Sequence, residues 1–197
     1  MRAATRRETL RGPAGDIECA VDEPSGAPRG IALIAHPHPL FGGTLDNKVV
    51  QTLARAFVEL GYATWRPNFR GVGASEGAHD EGRGEVDDLA AVLAHLGADR
   101  PVLAGFSFGA AVQAKLAARV AAERLVLVGV AVSRLDMPAV PPGTLVIHGE
   151  LDETVPLATV LDWARPQELP VLVVPGADHF FHRKLAALKI AVTANWK

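Results

Sequence analysis

Three residues of this chain have the types and the spacing for nucleophilic acyl chemistry. Ser107 sits in Gly105-Phe106-Ser107-Phe108-Gly109, directly after the apolar run Pro101-Val102-Leu103-Ala104 and before an alanine-rich helical stretch. In a strand–turn–helix setting, G-x-S-x-G makes a turn too tight for a Cβ on either flank and holds its serine exposed above the strand end. Such a serine needs a base to take its proton and a carboxylate to orient that base, in the chain order Ser, Asp/Glu, His. Both follow, each just after an apolar run. Thr144-Leu145-Val146-Ile147 leads into His148-Gly149-Glu150-Leu151-Asp152-Glu153-Thr154-Val155-Pro156, and Pro170-Val171-Leu172-Val173-Val174 leads into Pro175-Gly176-Ala177-Asp178-His179. The expected roles are nucleophile for Ser107, general base and then acid for His179, and orienting carboxylate for Asp152. Glu150 competes for the acid role, but Asp152 falls past the strand end, in the loop. His182 competes as base and is read as a surface or structural histidine inside the closing helix.

The elements that must position these residues alternate between short apolar strands and helical patterns, which predicts a mostly parallel sheet of about eight strands with helices on both faces. Thr5 to Leu10 and Asp16 to Val21 read as an opening antiparallel pair, and Gly30 to Ala35 as a continuously buried strand. Val49, Leu53, Phe57 and Leu60 recur at helical spacing with Gly61 as the stop. Tyr62 to Arg66 reads as the next strand. Val86, Leu89, Leu93 and Leu96 mark another helix, stopped by Gly97, with Glu85, Asp87 and Asp88 complementing the dipole of its first turn. The serine strand and helix follow, then the strand Arg124 to Val130, the acid and histidine strands, and a closing helix around Lys184 to Ala194.

An acyl-transferring site also needs two backbone N–H donors for the developing oxyanion. Phe108, the residue after the nucleophile, supplies one. The other belongs to the loop His36-Pro37-His38-Pro39-Leu40-Phe41-Gly42-Gly43. Prolines have no N–H, which leaves His38 and Leu40 early in the loop, and His38 is the choice. Leu40, Phe41, Phe106 and Phe180 are candidate substrate-lining residues. Arg70, in Asn68-Phe69-Arg70-Gly71-Val72-Gly73, either lines the site or braces its glycine-rich turn by a salt bridge. The pair His36-x-His38 invites a metal reading, but it has no third ligand or carboxylate beside it in sequence. The favoured chemistry calls for no metal and no cofactor.

A chain of 197 residues suits one domain, 1–197, and a net charge of −2 offers no basic footprint for nucleic acid or anionic membrane. The opening Met1-Arg2-Ala3-Ala4-Thr5-Arg6-Arg7-Glu8 lacks the apolar core of a signal peptide, and no later apolar run is long enough to span a membrane. Cys19 is the single cysteine, which excludes an internal disulfide and points to a reducing, cytoplasmic setting.

Read together, AHPHPLFGGTLDNKVV, NFRGVGASEG, AGFSFGA, HGELDETVP and GADHFFHRKL span most of the chain. They resemble compact, lid-less microbial α/β-hydrolases of the dienelactone-hydrolase-like or esterase-like kind. The resemblance implies the α/β-hydrolase fold, Ser107, Asp152 and His179 as a triad, and carboxylesterase-like action on small-molecule esters, with thioesters open. True dienelactone hydrolases use a cysteine nucleophile; here that position is Ser107, and Cys19 lies in an N-terminal strand. In this fold a lid is commonly inserted between the sixth and seventh strands. The proline-rich stretch Ala131 to Gly143 is too short for one, so no cap domain is expected. Two other classes stay open: a metal-dependent hydrolase using loop histidines, and a non-catalytic binding protein of the same fold. The second usually betrays itself by a missing triad member, and none is missing here.

Overall fold

Apolar runs of four to eight residues give strands, and the longer periodic stretches give helices, in a computed structural model that describes residues 5–133 and 135–196. Met1 to Ala4, where the signal-peptide reading begins, and Arg134, inside the connection read as too short for a lid, lie outside the described residues. The strands are β1 (Arg6–Gly12), β2 (Gly15–Asp22), β3 (Ile31–Ala35), β4 (Ala63–Pro67), β5 (Val102–Phe106), β6 (Arg124–Val128), β7 (Leu145–Gly149) and β8 (Val171–Val174). They form one eight-stranded sheet in the order β1-β2-β4-β3-β5-β6-β7-β8. From β4 to β8 neighbouring strands run parallel, while the β1–β2 hairpin joins antiparallel at the β4 edge.

The helices are α1 (Lys48–Glu59), α2 (Gly84–Leu96), α3 (Phe108–Ala117), α4 (Leu157–Ala164) and α5 (Leu185–Ala194). The pleat sends alternate strand residues to opposite faces. Leu33, Ala35 and Leu103 therefore pack with α2, α3 and α4 in one core, while Ile34, Val102, Ala104 and Phe106 pack with α1 and α5 in the other. Both faces of the central parallel strands are covered, as near-continuous apolar strands require, while β1 at the edge buries only Leu10. Gly97 closes α2 in the left-handed conformation, φ 58°, as its place after the periodic stretch predicts. The α4 helix has little sequence signal, because it buries only Val160 and Ala164 and so shows a thin apolar stripe. Among the described residues no cap domain stands over the sheet.

Topology decides where the chemistry falls. Strands β5, β7 and β8 run parallel, so the loops that leave them emerge along one edge of the sheet. That edge is where open parallel sheets bind ligands.

Candidate active site

The turn after β5 shows why its glycines are needed. A Cβ on Gly105 would sit 2.4 Å from the Gly109 carbonyl oxygen, and one on Gly109 would sit 2.3 Å from that of His36. Ser107 between them takes φ 55°, ψ −116°, a region that costs a non-glycine residue on the order of 1–3 kcal/mol. Its N–H donates to the Val128 carbonyl of β6 at 2.9 Å, which ties the strained residue to the sheet. Phe108 begins α3 directly after it, so its N–H belongs to the helix's first turn, which has no intrahelical acceptor.

The long-range folding brings the three expected side chains together. His179 Nε2 lies 3.1 Å from Ser107 Oγ, and its Nδ1 lies 2.7 Å from Asp152 Oδ2. The three residues are at most 9% exposed. The other Asp152 oxygen accepts the N–H groups of Thr154 at 3.0 Å and Val155 at 2.7 Å. That turn points the carboxylate at the histidine and leaves it no second orientation. Glu150 does something different: its side chain accepts the Gly176 N–H at 2.8 Å and braces the acid loop against the histidine loop. Phe181 anchors the histidine loop from within. It is fully buried although it holds φ 54°. Burying a phenylalanine stabilises by about 1.5–3 kcal/mol, which offsets the backbone strain.

His182 lies outside the closing helix, contrary to expectation. That helix begins at Leu185, and His182 sits in the turn before it, hydrogen bonded to Asp178 at 2.7 Å and mostly exposed. Positive φ at Phe181 and Arg183 keeps this stretch from joining the helix.

The loop after β3 divides its two histidines. Buried His36 donates from Nδ1 to the Pro37 carbonyl at 2.7 Å and accepts the Phe69 N–H on Nε2 at 2.9 Å. Neither nitrogen is open to a metal, and burial pushes its pKa down to about 4. Among the described residues no three His, Cys, Asp or Glu side chains are grouped to hold a metal ion. His38 adopts φ −54°, ψ 124°, the extended form that a following proline demands. Its ring accepts the Leu40 N–H at 3.3 Å and rests 4.8 Å from the Phe108 ring. The runner-up oxyanion donor, Leu40, is thereby engaged by the His38 side chain.

A cleft of about 710 Å³ opens above Ser107 and His179. Leu40, Phe41 and Phe180 line it, with His38 and Phe108. Two expected lining residues do not. Arg70 is turned away to α2, where its guanidinium grips both Asp88 oxygens at 2.7 and 2.9 Å and the Gly84 carbonyl at 2.8 Å. The salt-bridge alternative holds for it, and the hydrogen bond to Asp88 raises its pKa. Phe106 is fully buried beneath the site with its ring 4.9 Å from that of His179. It shares a face with Val102 and Ala104, so the pleat sends it into the core.

Two residues in and beside this cleft have places there that no sequence motif announces. His79 lines the wall, its ring 4.9 Å from His38 and 5.4 Å from Phe108. Its Nδ1 stands 2.9 Å from Glu85 Oε1, at an angle too bent for a full hydrogen bond. Glu85 is fully buried, with its carboxylate oxygens accepting the Asp80 and Gly82 N–H groups at 2.8 Å each. It therefore folds the loop before α2 as well as standing in that helix's first turn. Cys19 is inert: burial pushes its thiol up to about 12.

Comparison with known sequences and structures finds relatives of the same fold. The alpha/beta hydrolase fold family matches residues 38–142. An alpha-beta serine hydrolase homologue from Coxiella burnetii is 40% identical and covers all of both chains, with a TM-score of 0.89. A lid-less a/b serine hydrolase from Xanthomonas campestris is 39% identical over 99% of this chain and 94% of its own, with a TM-score of 0.90. An uncharacterized protein of Rickettsia prowazekii is 32% identical, over 93% of this chain and 85% of its own length.

Proposed function

The chain belongs to the alpha/beta hydrolase fold family, and from that premise we propose that it is a serine hydrolase of small carboxylic esters, acting through an acyl-enzyme on Ser107. The reading rests on one observation above the others, the unbroken chain from Ser107 Oγ through the His179 ring to Asp152 at 3.1 and 2.7 Å. Asp152 accepts only, so it holds the proton on Nδ1 and leaves the Nε2 lone pair facing the serine. As Ser107 Oγ bonds to the acyl carbon, its proton passes to Nε2. The tetrahedral oxyanion takes hydrogen bonds from the N–H groups of Phe108 and His38. When the C–O bond to the alcohol breaks, His179 returns the proton to the departing oxygen. Water repeats the sequence against the acyl-enzyme, releasing the acid and restoring Ser107.

The acyl and alcohol groups would lie against Leu40, Phe41 and Phe180 in the open cleft. Thioesters fit the same sequence of steps, with a thiol as leaving group. A fluorophosphonate probe, read by peptide mass spectrometry, should label Ser107. Ser107→Ala should abolish labelling and lower kcat by roughly 10⁶. Labelling that persists in the variant refutes the assignment. Activity should also survive EDTA, since no step uses a Lewis acid. Loss on chelation and recovery with Zn²⁺ would transfer the chemistry to a metal.

A further inference from the structure

Beneath the proposed triad lies a second histidine that the mechanism does not use. His148, at the end of β7, is fully buried. Its Nε2 lies 2.8 Å from the Val155 carbonyl oxygen and 3.4 Å from Asp152 Oδ2, the oxygen that also meets His179. Both neighbours are acceptors, so the ring proton belongs on Nε2. Nδ1 is then left as a buried acceptor with no hydrogen-bond partner among the described residues. Such an atom is expensive, and each one in a folded protein calls for an explanation. At a strand position walled by β6 and β8, an aliphatic side chain would avoid the cost.

We propose that His148 is a positioning residue for the acid of the triad, holding Asp152 in register with His179 from below. The proposal rests on the serine-hydrolase reading given above. The Nε2–H fastens the Val155 carbonyl, and the N–H of that same residue fastens Asp152 Oδ1 at 2.7 Å. The ring therefore pins the turn that aims the carboxylate. The same N–H dipole presents its positive end to Oδ2 without taking that oxygen from His179. A neutral ring is needed for this, because an imidazolium would cancel the Asp152 charge that steadies His179 during proton transfer. Burial supplies neutrality, lowering the His148 pKa from its ordinary value. The charged or titratable partners facing it are Asp152 and His179.

The test separates positioning from packing. His148→Leu fills similar volume without a donor; His148→Gln keeps an N–H that can reach the Val155 carbonyl. In His148→Leu, kcat for 4-nitrophenyl acetate should fall roughly 10–100-fold, the usual effect of removing a partner that orients a functional ligand. KM should stay near its wild-type value, and the melting temperature should hold or rise. His148→Gln should recover most of the loss. The low-field proton resonance of His179 Nδ1–H should shift or broaden in the leucine variant and persist in the glutamine one. Wild-type kcat and an unmoved resonance in folded His148→Leu would overturn the proposal. So would equal losses in both variants. If His148→Leu does not fold, His148→Met also lacks the donor and is read the same way. Failure of the wild-type enzyme to label at Ser107 would instead refute the hydrolase reading, while the His179 resonance still reports whether His148 positions Asp152.

Discussion

Two histidine–aspartate pairs draw their histidines from the loop after β8 and have the same contact distance. His179 Nδ1 meets Asp152 Oδ2 at 2.7 Å, and His182 Nδ1 meets Asp178 Oδ2 at 2.7 Å. Their surroundings differ. The first pair has side chains 5% and 0% exposed, the second 70% and 45%. The first joins loops from two strands, while the second closes within one turn, four residues apart. In water such a pair contributes about 0–1 kcal/mol and exchanges freely with solvent. In the interior the carboxylate has fixed donors, the ring has one tautomer, and a serine stands at its far nitrogen. Contact distance alone does not separate the pair proposed to react from the surface pair; burial, a preset carboxylate and a third group on the other side of the ring do.

The largest effects should come from substitutions that exchange the fates of the two pairs. His179→Ala should lower kcat by roughly 10⁶, as loss of the base does in a serine triad, whereas His182→Ala should leave kcat nearly unchanged. An inactive His182→Ala beside an active His179→Ala would reverse the comparison. One step down, Asp152→Asn should cost about 10⁴ in kcat, because an amide can hold the imidazole in the wrong tautomer. Asp178→Asn should cost little, and steady-state kinetics on a short-chain ester compares the two directly.

Smaller again is the oxyanion side. His38→Pro deletes the proposed backbone donor and should cost about 10²–10³ in kcat if circular dichroism shows the fold intact. His38→Ala keeps the donor and should cost less, its loss coming from the ring that engages the Leu40 amide and packs on Phe108. A well-folded His38→Pro with normal kcat would move the second donor elsewhere.

The smallest contrast concerns stability and pH. Burial lowers His36 to about 4 from an ordinary 6.5, so in this window the unfolded chain binds the proton that the folded chain refuses. Stability is therefore full above about pH 6.5 and declines as pH falls toward 4, by about 3 kcal/mol from this residue. Urea unfolding across that range measures it. A flat profile would show that His36 is not held neutral in the folded protein.

Much of this was legible in the order of residues. G-x-S-x-G after an apolar strand, with Asp152 and His179 after later strands, carried both the family and the three residues proposed to react. Those signals are local, set by turn geometry and strand periodicity. Phe106 adjoins Ser107 in the chain, but the strand period turns its side chain into the core, away from the cleft. Arg70 leaves two readings open in the sequence, a substrate contact or, the more common case, a salt bridge beside its glycine-rich turn. The presence of Asp88 on the adjoining helix resolves it.

The chain's pattern of apolar runs and glycines is enough to require a parallel sheet, a strained serine and strand-end loops for the acid and the base, because each follows from sterics within a few residues. Folding alone closed the gaps of 72 residues from Ser107 to His179 and 27 from Asp152 to His179. Folding alone also made His36 neutral, put His79 into the cleft wall and buried His148 under Asp152. Charge state, tautomer and direction depend on which atoms surround a ring, and those atoms come from strands and loops distant in the chain.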